Sequence, residues 1–175
     1  MNVFMTAGTY DYLLKIKEAH QGERMVLMMH EDQALLFHET NGETLFKEPR
    51  SYEAVDSVGT LDNARFVVMN NIPVTDEGRS LFEHRFKNRD RAIEKLPGFV
   101  GIRVLRPLTS DTYVIVTLWK DESDFEGWKT SEAFAKSHKK PAPASVAEPG
   151  GGGLPQKKLF SGASYVTKYY IPEEE

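Results

Sequence analysis

Three residues in the second half of the chain, Asn70, Trp128 and His138, are of types that could do chemistry together. Asn70 lies in the β-type run FVVMNNI, where it shares a strand face with Phe66 and Val68. A buried amide without a hydrogen bond costs roughly 1–3 kcal/mol. Asn70 is therefore expected either to bond neighbouring backbone at the end of the strand or to serve a bound molecule.

Trp128 and His138 lie near the ends of two short predicted helices that follow each other. Taken alone, Trp128 is typical of an ordinary core position. His138, four residues after Phe134, can interact with the helix dipole, lie exposed, or bind haem iron as a neutral imidazole. The segment after it is rich in Pro, Ala and Gly, which predicts a flexible loop over residues 139–162 that could admit a large flat molecule.

The composition excludes several other kinds of site. The chain of 175 residues has no cysteine, which excludes disulfides, thiolate nucleophiles, cysteine-bound zinc and iron–sulfur clusters. The net charge of −4 gives no sign of a nucleic-acid or anionic-membrane partner, and the N-terminal residues read neither as a signal peptide nor as a membrane span. A soluble, cytoplasmic protein is therefore expected.

Two further motifs are not expected to form binding sites. The glycines at 150–153 lack phosphate-binding spacing. No metal-ligand spacing relates His30, His38 and His84, which are expected at the surface or in a hairpin.

The elements that must position the three residues predict a ferredoxin-like α+β domain from about Phe66 onward. Strands are predicted at Phe66–Ile72, Phe99–Leu105, Thr112–Trp119 and Ala163–Ile171, and short helices at Glu122–Lys129 and over residues 132–139. Thr75 is expected to cap one long helix that ends at Pro97-Gly98. Its apolar face would consist of Phe82, Phe86, Ile93 and Leu96.

The first 62 residues indicate a reduced version of the same order. A strand is predicted at Val3–Thr6, a helix at Tyr10–His20, a hairpin of Met25–His30 and Gln33–His38, and a short helix at Ser51–Val58. Both faces of FVVMNNI and TYVIVTLW are apolar, so a second sheet must cover the face that helices leave bare. We expect residues 1–62 to supply that sheet as a pseudo-second subunit for a domain over 63–175, which predicts a monomer.

Several segments together resemble the antibiotic-biosynthesis-monooxygenase (ABM) superfamily. They are FVVMNNIPVTDEGR, LPGFVGIRVLRP, YVIVTLWKDESDFEGWKTSEAFAKSHKK and the closing SYVTKYY. More narrowly, they look like its IsdG-type haem-degrading monooxygenases, which implies a dimeric α+β barrel fold. The first half, with GTYDYL and FHETNGETLF, resembles the extended HmoB-like form, a layout that is also known as signal transduction protein TRAP.

The resemblance implies a role for each of the three residues, because the family's Asn, Trp and His fall on Asn70, Trp128 and His138. It implies that His138 is the proximal ligand of the haem iron and that Asn70 hydrogen-bonds on the distal side. Trp128 would press on the porphyrin and hold it out of plane. Lys139 and Lys140 are candidates for contacts with the haem propionates.

The implied function is a haem-degrading monooxygenase that opens the porphyrin ring and releases iron, with haem as both substrate and cofactor. No flavin or nicotinamide site is visible, so an external electron donor, either a partner reductase or a small reductant, is implied. Two alternatives remain open. One is a TRAP-type regulatory or stress-signalling protein, phosphorylated on histidine and without catalysis; the other is a cofactor-free monooxygenase acting on quinol-like aromatics.

Overall fold

The computed structural model describes residues 1–131 and 159–172, which form eight strands and three α-helices. The first half contains β1 (Asn2–Gly8), α1 (Tyr10–Ala19), β2 (Arg24–His30), β3 (Gln33–Thr40) and β4 (Arg50–Gly59). The second half contains β5 (Phe66–Pro73), α2 (Arg79–Lys87), a 3₁₀ helix (Ala92–Lys95), β6 (Phe99–Pro107), β7 (Thr112–Trp119), α3 (Glu122–Lys129) and β8 (Tyr165–Tyr170). Across these two described ranges, no helix has the length and apolar character needed to cross a membrane.

The eight strands close into one barrel in the order β1-β3-β2-β8-β5-β7-β6-β4. The barrel consists of two sheets of equivalent order, β4-β1-β3-β2 and β8-β5-β7-β6, which meet along two seams. The seam between β4 and β6 contains seven residue pairs, whereas the seam between β2 and β8 contains the single pair Met29–Tyr170. The predicted ferredoxin-like α+β barrel, with the N-terminal half as a pseudo-second subunit, is confirmed.

The main core lies inside the barrel, and both halves contribute to it. Val3, Met5, Met28, Leu35 and Phe37 of the first half pack with Val67, Met69, Val114, Val116 and Leu118 of the second. The opposite faces of β5 and β7 contact helical residues such as Phe82 and Phe125. Both faces of these strands are therefore covered, which explains why their sequences do not alternate between apolar and polar residues.

A buried ion pair joins the two halves inside the barrel. The side chains of Arg103 in β6 and Glu39 in β3 are each 2% exposed, and Arg103 Nε donates to Glu39 Oε2 at 2.6 Å. Arg103 also donates to the backbone carbonyls of Val58, Ile102 and Gly59. The buried charge is thus paired and hydrogen-bonded, as a charge in a low-dielectric interior must be.

The short helix predicted at Ser51–Val58 is wrong, because these residues form most of β4. The strand pairs with β1 on one side and with β6 on the other, and Tyr52 points into the barrel core. Ladder bonds to two strands outweigh the weak local helix preference of this segment. The chain between β3 and β4 is not helical, and its Phe46 is buried.

The long helix predicted from Thr75 to Leu96 is also wrong in its extent. α2 covers only Arg79–Lys87, and the 3₁₀ helix Ala92–Lys95 follows after a break. Thr75 Oγ1 accepts a hydrogen bond from the backbone of Gly78 in a turn that precedes α2. Within the break, Arg89 and Arg91 both bind Asp56 of β4. These ion pairs hold the segment of Arg89 and Arg91 against the sheet, whereas a continuous helix would direct it away from the sheet.

The predicted helix over residues 132–139 lies outside the described residues, as does most of the predicted loop 139–162. The described end of that loop includes Leu159, which is 1% exposed and packs with Val74 and Phe82. Phe160 forms a bridge with Val74. This end of the loop therefore belongs to the core, contrary to the prediction of a flexible loop up to residue 162.

Candidate functional site

The outer face of the second sheet carries the candidate site around Asn70. Asn70 of β5 lies between Val166 of β8 and Ile115 of β7, and the adjacent row on the same face places Lys168 beside Val68. Ile115 and Val68 are buried, whereas Val166 is 54% exposed and Asn70 is half-buried. We name the surface formed by Val68, Asn70, Val166 and Lys168 the β5–β8 face.

The side chain of Asn70 makes no hydrogen bond within the ranges 1–131 and 159–172. Its neighbour Asn71 points into the barrel instead, where Nδ2 donates to the backbone oxygens of Met69 and Tyr165 and to Thr167 Oγ1 at 3.2–3.3 Å. The backbone bonding that the sequence analysis considered for Asn70 is therefore made by Asn71. The amide of Asn70 can bond a ligand on the β5–β8 face without breaking a bond to described residues.

Trp128 lies beside the β5–β8 face in a group of rings that we call the aromatic cluster: Phe66, Trp119, Phe125 and Trp128. Its ring stacks on Trp119, with centroids 5.9 Å apart and an interplanar angle of 30°. Phe125 contacts both indoles. Val68 packs with this cluster, so Trp128 is half-buried against the same apolar surface that Asn70 interrupts.

Local sequence fixes the position of α3, and hence of Trp128. Asp121 caps the helix by accepting a hydrogen bond from the backbone of Ser123, and Glu122 and Asp124 in the first turn suit the helix dipole. Gly98, in the turn before β6, has φ of +80°, and a Cβ there would lie 2.0 Å from Asp124 Cγ. Glycine at this position therefore lets the turn approach α3 closely.

Two lysines that the sequence analysis missed lie next to the aromatic cluster. The Nζ atoms of Lys129 and Lys168 are 5.2 Å and 5.4 Å from the centre of the Phe125 ring. Glu126 lies 3.4 Å from Lys129 and 4.0 Å from Lys168. The alternation in YVTKYY, which puts Lys168 on the same strand face as Val166, is the sequence signal that could have found it.

His138, together with Lys139 and Lys140, lies outside the described residues. The first described range ends at Ser131, three residues after Trp128. The second begins at Leu159, whose backbone oxygen accepts a hydrogen bond from the backbone of Thr75, just after β5. The structure thus brings Asn70 and Trp128 to the same side of the second sheet. It does not place the predicted iron ligand.

A charged network lies on the same side of the sheet beyond Ile72. Glu83 of α2 accepts hydrogen bonds from Arg106 Nε and Nη2, each at 2.8 Å, and from the Tyr113 hydroxyl. The bonds from Arg106, only partly opposed by burial, hold the pKa of Glu83 below its ordinary value. Burial, reinforced by Glu83, raises the pKa of Tyr113 to about 12. These groups satisfy one another's hydrogen-bonding capacity, and the network links α2 to the sheet.

His38 was expected at the surface or in a hairpin. It does belong to the hairpin of β2 and β3, but it is fully buried, contrary to a surface position. Its Nε2 lies 2.7 Å from Glu23 Oε1, and its ring contacts Phe4 and Phe46. His30 and His84 are more exposed. Within the described ranges, no group of three or more His, Asp or Glu side chains could hold a metal ion.

A cleft of about 600 Å³ lies elsewhere, at the seam between β2 and β8. Its lining includes Lys17, Asp62 and Arg65 but neither Asn70 nor Trp128. This cleft and the predicted site residues are therefore separate parts of the molecule.

The β5–β8 face suits a flat, mainly apolar ligand that carries polar atoms. Val68, Val166 and the aromatic cluster supply apolar contact, and the amide of Asn70 supplies one hydrogen bond within it. Haem combines a large apolar plane with a polar centre, so these residues fit it. The four described residues that define this face include neither His nor Tyr.

The comparisons with known proteins agree with this architecture. A family model described as antibiotic biosynthesis monooxygenase matches residues 65–140, which include all three predicted site residues. The chain is 30% identical to the signal transduction protein TRAP of Staphylococcus aureus over 75% of this chain and 79% of that protein. It is 28% identical to the haem-degrading monooxygenase of Listeria monocytogenes over 74% of this chain and 77% of that protein.

Among solved structures, the chain is similar to one described as a major regulator of staphylococcal pathogenesis. The TM-score is 0.82 at 25% identity, and the match covers 99% of this chain and all of the other. A solved structure of the haem-degrading enzyme from Listeria monocytogenes gives a TM-score of 0.69 at 22% identity, over 98% of this chain and all of that one, so proteins named for regulation and for haem degradation share this fold.

Proposed function

Because this chain belongs to the antibiotic biosynthesis monooxygenase superfamily, we propose that it is a haem-degrading monooxygenase that binds haem on the β5–β8 face. The observation that carries the proposal is the half-buried amide of Asn70, which has no hydrogen bond to described residues and lies on the same side of the sheet as Trp128, next to apolar Val68. The similarity to the Listeria haem-degrading monooxygenase supports the choice of ligand.

Each proposed site residue would have a distinct task. Asn70 would donate a hydrogen bond from Nδ2 to the bound ligand. Trp128, held by its stacking on Trp119, would press on the bound ligand. His138 would bind the iron, because a neutral imidazole is a common ligand of haem iron.

The haem, when bound, would supply the oxygen chemistry and would itself be the molecule that is oxidised. The apolar residues of the β5–β8 face would exclude water from its sheet-facing side. Electrons would come from a reductase or a small reductant. We infer that the enzyme acts as a monomer, because one chain already closes the barrel.

A hemin titration tests the proposal directly. We expect a Soret band that saturates at one equivalent of hemin and then bleaches when ascorbate is added. The His138→Ala variant should lose the band, whereas Asn70→Ala should keep it and bleach more slowly, by roughly 100-fold if its donor acts in the transition state. The matched control is His84→Ala, which removes an exposed histidine from α2 and should leave both the band and its bleaching unchanged.

Wild-type protein that gives no saturable Soret band would rule out the proposal. Turnover of a quinol-like aromatic by that same protein would then support a cofactor-free monooxygenase.

Signalling without catalysis is the second candidate function, and the match to the protein named TRAP over three quarters of the chain favours it. It predicts no hemin binding, together with histidine phosphorylation when the protein is incubated with a radiolabelled phosphate donor and cell extract. A purely regulatory role would give no reason for an amide that bonds no described residue on the same side of the sheet as a stacked indole. Hemin binding with ascorbate-driven bleaching, and no labelled histidine, would rule it out.

A further inference from the structure

Lys168 faces the same side of the sheet as Asn70. On β8, Lys168 pairs with Val68 of β5, and Val166, two residues earlier on β8, pairs with Asn70 of β5. Residues on a diagonal between neighbouring strands are roughly 7–8 Å apart at Cα, well within reach of a lysine side chain. A ligand that lies over Asn70 therefore passes within reach of the Lys168 ammonium.

Lys129 brings a second ammonium to the same place from α3. Both ammonium groups lie within 5.4 Å of the centre of the Phe125 ring, although they come from elements far apart in the chain. One carboxylate, that of Glu126, lies near both of them. Of the three charged groups that contact one another here, two are cations and one is an anion.

The existing ion pairs here are easily replaced. The distances from Glu126 to Lys129 and Lys168 are 3.4 Å and 4.0 Å, and all three side chains are between 39% and 48% exposed. Pairs that are this long and this exposed contribute little to stability. The carboxylate of a ligand could take the place of Glu126 at small cost, and it would gain two donors.

We propose that Lys168, assisted by Lys129, binds the carboxylates at the edge of the ligand on the β5–β8 face, so that the ligand is an anionic aromatic plane. The inference rests on the proposed function, in which that ligand is haem and the carboxylates are its propionates. It assigns the charge recognition to described residues of α3 and β8. Lys168 is a binding residue in this proposal, because its ammonium contacts the ligand directly.

The test compares hemin with hemin dimethyl ester, in which both carboxylates are neutralised. Each is titrated into wild type, Lys168→Met and Lys47→Met, and the dissociation constant is read from the Soret band. Lys168→Met should weaken hemin binding roughly fivefold to thirtyfold, as expected for a charge-assisted hydrogen bond at a half-exposed position, and should leave ester binding unchanged. Lys47→Met changes the net charge equally at an exposed site in the first half, and should change neither constant.

Glu126→Gln supplies an opposite expectation, because it removes the competing carboxylate and should tighten hemin binding without changing ester binding. Equal hemin affinity in wild type and Lys168→Met would overturn the inference while the proposed function stands. An equal loss for hemin and for the ester would also overturn it, since Lys168 would then act by packing alone. Wild type that binds neither compound would overturn the proposed function, and this inference with it.

Discussion

In β5 the side chains of two adjacent asparagines point to opposite faces of the sheet. Asn71 is 6% exposed and holds β8 through its bonds to Tyr165 and Thr167. The side chain of Asn70 faces outward and makes no hydrogen bond to the described residues. Two chemically identical side chains thus differ in what they do for the folded state.

We expect Asn71→Ala to lower the free energy of unfolding by about 1–3 kcal/mol, because it leaves buried acceptors of β5 and β8 without their donor. Asn70→Ala should change it by less than about 0.5 kcal/mol, since it removes no hydrogen bond to described residues. Urea unfolding followed by circular dichroism measures both values. Comparable losses in the two variants would show that Asn70 has a structural partner after all.

At the residue scale, the sequence predicts which face a side chain occupies better than it predicts the bonds that the side chain makes. Alternation along FVVMNNI places Asn70 with Phe66 and Val68, and the structure confirms this. The partners of Asn71 in β8, Tyr165 and Thr167, lie 94 and 96 residues further along the chain. Local patterns contain no information about such a partner.

At the scale of elements, α2 is fastened to the sheet by a compact charged network. Glu83 projects from the helix to Arg106 on β6 and Tyr113 on β7, and Arg106 continues to Glu53 on β4 at 2.9 Å. The network therefore links one helix with three strands. Phe82, next to Glu83 in the helix, packs on the Tyr113 ring in support.

This network predicts a pH-dependent contribution to stability. Since the pKa of folded Glu83 is below its ordinary value of 4.5, the stabilisation is complete above that value and is lost as the pH falls through the lowered pKa. We expect Glu83→Gln to be about 1–3 kcal/mol less stable than wild type at neutral pH. Urea unfolding at a series of pH values should show that the difference in stability between wild type and Glu83→Gln shrinks below pH 4.5, the ordinary pKa of Glu83. A difference that stays constant down to the acid limit of folding would contradict the assignment.

The two wrong helices show what local sequence leaves undecided at this scale. The segment Ser51–Val58 has no strong period, and its strand form depends on ladders to β1 and β6. The apolar spacing from Phe82 to Leu96 does match a helix, but the ion pairs of Arg89 and Arg91 with Asp56 interrupt it. Both outcomes are decided by partners distant in the chain, whereas α1 and the hairpin of β2 and β3 form from local contacts and were predicted well.

At the scale of the whole molecule, the ion pair of Glu39 and Arg103 connects the two halves across the barrel interior. We expect Glu39→Gln to destabilise the protein by about 3–5 kcal/mol, because the guanidinium is left buried without a counter-charge. The double variant Glu39→Leu with Arg103→Met should be more stable than this single variant, since no charge then remains buried.

The matched control is Glu126→Gln, which removes a carboxylate from a surface pair and should change stability by at most about 1 kcal/mol. Urea unfolding measures all three variants. Urea concentrations at the unfolding midpoint that do not vary with protein concentration would agree with a barrel closed by one chain. A Glu39→Gln variant as stable as Glu126→Gln would show that the buried pair is not what holds the halves together.

The barrel presents different outer faces in its two halves. In the first half, α1 and Phe46 cover the sheet, and His38 is buried with Phe4 and Leu36. In the second half, Val166 and half-buried Asn70 leave the corresponding surface partly open. In a dimer of identical subunits every substitution occurs twice, so a site cannot be filled on one side and kept on the other. Joining both sheets in a single polypeptide removes that constraint. One half can then serve only as structural support, while the other keeps a surface that is open to a ligand.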